Sequence, residues 1–550
     1  MPSELKAGRK QVAGRWIRWD EARAERAYAQ GHWVRQTLAD ALQSAAEQSP
    51  KRVLLVDGEL RIDCRTLHTQ ATALAHAMLA RAPTGSVVSF MLPNWHEAAV
   101  IYLAATLAGM VVNPILPSLR ERELQFILSD VNTRLVFIPA NFRQHDYGAM
   151  LGRVVAQIDN PPDVIVLRGE PGAHVRYDSL LLQQHATHDF PARDPDAVRM
   201  VLYTSGTTGR PKGVLHTHNS LHALLCQVRD HWLVAPGDRF LVPSPIGHIG
   251  GSIYAFEAPL LLGTTAVLME RWDVDEAVRI FESERCTHMA GATPFLEALL
   301  AAARRAGTHL PSLKVFICGG ASVPPSLIRD AASYFERAVV TRVYGSTEVP
   351  ITTVGATQPD ETQHAADTDG RGGYAAIKLV NHGSAPAGEG EVHARGPQML
   401  VGYLHVEDET TSFDADGYFR TGDLARFADE RYLVVTGRAK DIIIRNGENI
   451  SPKEVEDLLI GHPQIAEVTV VGVPDARTGE RACAVIVPKP GTSGPDVASL
   501  RQFLKTLGVA MFKAPEQVML WDALPKNDAG KVLKHQIRAT LLQDASKSAY

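Results

Sequence analysis

Cysteine is scarce in this chain: five in 550 residues, Cys64, Cys226, Cys286, Cys318 and Cys483, with no C-x-x-C pair among them. An odd, dispersed set excludes a disulfide framework and a clustered zinc site, and it reads as reduced thiols in a cytoplasmic protein. Excess charge is equally scarce. The 56 basic and 61 acidic residues leave a formal net charge of -5, which supplies no electrostatic reason for a nucleic-acid partner. An anionic small molecule is not excluded, because it needs only a local cluster of donors. Long hydrophobic runs are missing too. The segment nearest to bilayer length, Ala98–Leu116, is broken by Gly109 and by Asn113-Pro114, and its second half is rich in Val and Ile. A buried helix followed by a buried strand is expected there, not a membrane span. Arg9, Lys10, Arg15 and Arg18 precede a charged, amphipathic stretch and no apolar segment, so a signal peptide is not expected. Two catalytic signatures are also absent: there is no Gly-Lys-Ser/Thr of a Walker A loop and no G-x-S-x-G nucleophile elbow.

What remains is a globular composition, 45% hydrophobic with 43 Gly and 33 Pro, in a chain long enough for two or more folded units. Apolar, β-branched runs recur at 52–57, 86–92, 133–138, 163–167 and 314–318, and helical periodicity follows at 275–284 and 294–305. Such alternation predicts α/β layers with mostly parallel sheets. From about Gly390 to Gly437 the pieces become short and turn-bounded, which suits antiparallel strands and a small β-barrel-like part. Beyond that lies a compact tail with its own strands and a helix start at Ser451-Pro452 with Glu454 behind it. The expected division is 1–437 as a large N-terminal domain, 438–441 as a hinge, and 442–550 as a small α+β domain.

The most informative stretch is Tyr203–Gly213, YTSGTTGRPKG. Its glycines let backbone N–H groups converge on one anion. The hydroxyls of Thr204, Ser205, Thr207 and Thr208 add donors around Gly206, and Lys212 adds a point charge, as a polyphosphate requires. Downstream, Tyr344-Gly345-Ser346-Thr347-Glu348 supplies an aromatic face for a base, a hydroxyl donor and a hard carboxylate oxygen suited to Mg²⁺.

With these motifs in this order, the chain resembles the adenylate-forming superfamily of acyl- and aryl-CoA synthetases, peptide-synthetase adenylation domains and luciferases over essentially its whole length. The resemblance implies ATP, Mg²⁺ and coenzyme A as reactants. It implies that the loop from Thr204 holds the β- and γ-phosphates. Gly320, Ala321, Tyr344, Gly345 and Ser346 would surround the adenosine, Thr347 would meet the α-phosphate, and Glu348 would carry the metal. Asp423, in YFRTGD, and Arg438 would bind the ribose. Lys440 would be the hinge of a mobile C-terminal domain, and Gly447 would lie on the loop that swings toward the CoA channel. Lys531, in LPKNDAGKVLK, would sit between the α-phosphate and the substrate carboxylate, where it would balance the charge growing during attack.

The acyl site is implied around His248, Ile249, Gly250, Gly319 and Val349. The aromatics that precede the histidine in the family are replaced here by Pro245, Ile246 and Gly247. These residues are small or apolar, and no carboxylate is positioned for an amino acid's ammonium group, so a bulky hydrophobic acid is expected. Met91–Glu97, Asn113–Ile115 and Arg120–Leu128 resemble the cyclohexanecarboxylate-CoA ligase branch, which implies a cyclic, polycyclic or aryl carboxylate. Three alternatives stay open: transfer of the acyl group to a carrier protein, a non-catalytic adenylate-binding relative, and a luciferase-like oxygenase starting from the same adenylate. A homodimer is compatible with the sequence. His218 and His222, spaced i,i+4 without a third ligand nearby, are expected to be ordinary helix residues.

Overall fold

The computed structural model describes residues 8–182, 189–204, 210–320, 323–381, 383, 388–445, 448–475, 477–527 and 530–547. Two seven-stranded sheets organise the first 343 residues. The first runs, in spatial order, Val175–Arg176, Asp163–Leu167, Thr133–Pro139, Val87–Phe90, Val111–Pro114, Val198–Thr204 and Lys212–Thr217. It is parallel except for its last pair, a hairpin in which Thr204 faces Lys212. The second runs Val339–Val343, Val315–Gly319, His288–Gly291, Arg239–Val242, Thr265–Leu268, Val53–Asp57 and Leu60–Asp63, again antiparallel only at its last pair. Strands buried on both faces read as continuous Val/Ile/Leu runs, which is why these were legible in sequence.

One hydrophobic core includes side chains of both sheets and the helix His96–Leu107, which is apolar all round and wholly enclosed between them. The expected division of Ala98–Leu116 is therefore found: this helix, then the strand Val111–Pro114. Among the described residues no helix is long and apolar enough to cross a membrane. Inside this core lies an ion pair. Arg199 donates to Glu257 at 2.5 Å and to the Tyr102 hydroxyl at 2.8 Å, Tyr102 donates to Glu257, and both charged side chains are 1% exposed. Glu257 ends a π-helical turn, Ile253–Glu257, within the helical stretch after His248.

A third sheet is antiparallel, in the order Ala376–Val380, Gly390–Arg395, Phe419–Ala428 and Tyr432–Arg438. Here the expected barrel-like part is corrected: the sheet is open and does not close. Four strands are too few to wrap into a barrel, and its outer strands do not pair with each other among the described residues. After one turn at Ala439–Asp441, the C-terminal region builds its own sheet from Glu448–Ile450, Ile443–Arg445, Gly479–Pro488 and Ile465–Asp475, with Gln517–Leu520 alongside. Ser451 caps the helix Pro452–Leu459 as expected, its hydroxyl accepting from the Glu454 amide at 3.4 Å. This region has a separate core of Ile443, Val455, Leu459, Val470, Ala484 and Leu500 among others.

Candidate active site

The carboxyl ends of parallel strands gather loops that cannot continue the ladder, and in open α/β sheets ligands bind there. Gly319 and Gly320 follow from Val315–Gly319, and Tyr344 follows directly from Val339–Val343. Tyr344 is fixed at both ends: its amide donates to Thr353 Oγ1 at 2.8 Å and its hydroxyl to Asp423 Oδ2 at 2.7 Å. The other Asp423 oxygen is 2.9 Å from Arg438 Nε, across the strand pair that sets these two residues opposite each other. Burial, and then Asp423, hold the Tyr344 phenol well above its usual range, while Asp423 raises Arg438 further still. Tyr344, Asp423 and Arg438, far apart in sequence, thus form one polar cluster.

Lys531 lies within electrostatic range of the same cluster. Its turn is closed by hydrogen bonds in both directions with Asn527: Lys531 N to Asn527 Oδ1 at 2.9 Å, and Asn527 N to the Lys531 carbonyl at 3.0 Å. Gly530 in this turn abuts Pro294 of the helix Thr293–Ala306. Lys531 is exposed to solvent. Desolvation, and then the charges of Arg438 and Lys440, lower its pKa to about 8 against the opposing pull of Asp423 and Asp441. Lys440 itself occupies the single turn between the third sheet and the C-terminal region.

The hairpin of Val198–Thr204 with Lys212–Thr217 brings in the other half. Thr204 Oγ1 donates to Glu348 Oε1 at 3.4 Å, and Lys212 Nζ is 3.8 Å from Asp408 and 5.3 Å from the centre of the Tyr403 ring. Ser205, Gly206, Thr207, Thr208, Ala321 and Gly447 lie outside the described residues. Ser346 closes its own turn through the Val349 amide at 3.3 Å. The Thr347 carbonyl accepts from His216 Nε2 at 2.8 Å, and burial pushes that imidazole down to about 4, so it is neutral. Val349 is wholly buried with Val214, Leu400 and Tyr403. His248 caps the short helix Ile249–Ser252, after a loop pinned by Asn94, whose amide donates to the carbonyls of Val242 and Ser244 at 2.9 and 3.0 Å. His218 is buried at the start of the helix His218–His231, and His222 in the same helix donates to the His32 carbonyl at 2.9 Å.

Sequence reasoning missed Tyr403, Asp408, His216 and Asp130. Asp130 accepts from Tyr203 at 2.6 Å and from His405 at 2.8 Å, and so ties down the end of the strand Val198–Thr204. Each is separated from its partner by tens of residues or more, and no local spacing signals the contact.

The family model described as AMP-binding enzyme matches residues 42–404, and that of the AMP-binding enzyme C-terminal domain matches 454–531. The chain belongs to the AMP-binding enzyme family. It is 34% identical over 528 residues to the medium-chain fatty-acid–CoA ligase of Escherichia coli K12, covering 92% of this chain and 91% of the relative. It is 32% identical over 517 residues to the 3-[(3aS,4S,7aS)-7a-methyl-1,5-dioxo-octahydro-1H-inden-4-yl]propanoyl:CoA ligase of Rhodococcus jostii RHA1, covering 91% and 98%. The ATP-bound crystal structure of MatB from Rhodopseudomonas palustris superposes with a TM-score of 0.81 at 25% identity, covering 92% and 99%. This enzyme is an ATP-dependent acyl-CoA synthetase of the adenylate-forming type.

The donor set also fits a hard divalent cation. Glu348 Oε1 accepts from Thr204 and, at 3.1 Å, from the Tyr403 hydroxyl, while Oε2 takes no hydrogen bond from any described residue. A half-buried carboxylate oxygen with no donor among the described residues is suited to Mg²⁺, an oxygen-seeking ion that keeps most of its waters.

Proposed function

We propose that this synthetase activates a bulky hydrophobic carboxylic acid, cyclic, polycyclic or aryl in preference to linear, by adenylation at the Tyr344–Asp423–Arg438–Lys531 cluster and then thioester formation with CoA. The single observation that carries the adenylation reading is Lys531, a residue of the C-terminal region, lying within electrostatic reach of Asp423 and Arg438. In this reading Asp423 accepts the ribose hydroxyls and Tyr344 stacks on adenine. The acid's carboxylate attacks the α-phosphorus in line, the bond to pyrophosphate breaks, and Lys531 and Thr347 stabilise the charge that accumulates on the phosphoryl oxygens. Mg²⁺ held by Glu348 neutralises phosphate charge when bound. The C-terminal region then rotates about Lys440, which withdraws Lys531 and lets the CoA thiol displace AMP. Residues 1–437, 438–441 and 442–550 are the body, hinge and lid of that motion.

The preference for a bulky acid is supported by Gly250 behind His248, beside which a methyl group would meet nothing within 4 Å. The Rhodococcus relative, whose name describes a fused-ring propanoyl acid, supports the same reading. A second reading, a medium-chain linear acid, is favoured by the Escherichia coli relative. A panel of carboxylic acids assayed for ATP–pyrophosphate exchange and for CoA thioester by mass spectrometry separates them. Exchange and thioester with a cyclic acid bear out the proposal, and saturable turnover with linear acids alone sinks it. Exchange without thioester points instead to a carrier protein as acceptor.

A further inference from the structure

Residues Leu400–Leu404 form a crosspiece between three parts of the molecule that are remote in sequence. At its start, the Leu400 amide donates to the Glu348 carbonyl at 2.7 Å. Along one edge it zips to the strand that begins with Lys212: Val401 N to Leu215 O at 2.9 Å, Leu215 N to Gly402 O at 3.0 Å, and Leu404 N to Gly213 O at 2.8 Å. Val401 also accepts from the Arg18 amide at 2.7 Å. Arg18 belongs to an N-terminal hairpin, Arg9–Val12 with Arg15–Arg18, that precedes the region matched by the family model.

Tyr403 is the residue through which this crosspiece reaches the site. Its hydroxyl donates to Glu348 Oε1 at 3.1 Å and its ring lies 5.3 Å from Lys212 Nζ. Its backbone is held in turn by Glu409, whose Oε1 accepts from the Tyr403 amide at 2.9 Å. The other Glu409 oxygen pairs with Arg9 and, at 3.3 Å, with Arg18, and the Glu409 side chain is only 3% exposed. Gly402, at φ +133, permits the closure, since a β-carbon there would stand 2.6 Å from Glu409 Oε1.

We infer that Tyr403 is a positioning residue for Glu348. It orients the carboxylate so that Oε2 faces the nucleotide's metal, and the N-terminal hairpin braces it through Glu409. The inference rests on the adenylation reading of this site. Groups that orient a metal-binding carboxylate commonly change metal affinity about 10- to 100-fold when removed.

The test is calorimetric titration of ATP into the full chain at stepped Mg²⁺ concentrations, with melting temperature measured in parallel. Tyr403→Phe keeps the ring and its packing and removes only the hydroxyl. The Mg²⁺ concentration for half-maximal ATP binding is expected to rise about 10- to 100-fold in this variant, with the melting temperature unchanged. Glu409→Gln is expected to shift it in the same direction by less, with ATP binding at saturating Mg²⁺ retained. An unaltered Mg²⁺ dependence in Tyr403→Phe overturns the inference. If that variant does not fold, Glu409→Gln decides by the same titration: a rise supports the inference and no rise overturns it. A wild-type chain that binds no Mg·ATP overturns both this inference and the adenylation reading. Wild-type binding with a matching Tyr403→Phe curve overturns this inference alone.

Discussion

The position of Lys531 makes a pH prediction that can be worked through. Its pKa is lowered from the usual lysine value to about 8, by desolvation first and then by Arg438 and Lys440. In the proposed mechanism adenylation needs the charged ammonium, so the sign is fixed: activity is present below the pKa and lost as pH rises through it. A group at about 8 is roughly nine-tenths protonated at pH 7 and roughly one-tenth protonated at pH 9, about a tenfold loss. An ordinary lysine at about 10.4 would lose under about 5% over the same interval. The profile of kcat/KM for ATP–pyrophosphate exchange reports the free enzyme and is expected to bend downward near pH 8. Bound ATP brings phosphate charge beside the ammonium and raises its pKa. The bend in kcat is therefore expected at higher pH than the bend in kcat/KM.

Two variants isolate the group. Lys531→Arg carries a cation that does not titrate in this range, so it is expected to be slower but to lose the alkaline bend. Lys440→Met removes one of the charges that lower Lys531, so the bend is expected to move upward with little change in the rate at neutral pH. A kcat/KM profile flat to pH 9.5, or a bend that survives in Lys531→Arg, would refute the reasoning. The titrating group would then be another.

Four further outcomes are expected. Arg199→Met leaves Glu257 buried without its cation and is expected to cost about 3–5 kcal/mol in chemical denaturation, whereas replacing both with Met recovers most of it. Gly251→Ala is expected to disrupt the loop carrying His248, because a β-carbon there would stand 2.2 Å from the Pro245 carbonyl; Gly250→Ala, with nothing within 4 Å, is expected to leave the melting temperature alone and lower kcat/KM for the bulkiest acids first. Asp423→Asn weakens the pairing to Arg438 and is expected to raise the KM for ATP by about tenfold or more, the scale of about 1.5–3 kcal/mol for hydrogen bonds to charged groups. His216 is neutral when folded, with a pKa of about 4, so below the ordinary histidine range of about 6.5 the unfolded chain takes up the proton first and stability falls as pH drops toward 4. His216→Leu is expected to flatten that slope in urea midpoints measured from pH 7 to pH 4.

How much of this was legible in the residues depends on the range of the interaction. The buried strands at 53–57, 87–90, 133–139 and 163–167 were readable because a strand covered on both faces must be apolar along its whole length, and that requirement is local. The Ser451 cap and the split of Ala98–Leu116 were readable for the same reason. Short antiparallel strands near 390–438 were readable as strands, but closure was not, since it depends on whether the outer two strands meet. Around the site the same division holds. The sequence marks the groups proposed to contact ligand, because phosphate and ribose demand particular chemistry: Lys212, Asp423 and Lys531 stand out from their surroundings. It does not mark the groups that hold such residues in place. Tyr403 in LVGYLH, His216 in VLHTH and Asp130 at a helix end have ordinary neighbours, and their partners lie 55, 131 and 73 residues away. A positioning contact is defined by the partner rather than by the residue. It therefore becomes visible only once the fold has brought Leu400–Leu404 alongside the strand Lys212–Thr217 and Glu348.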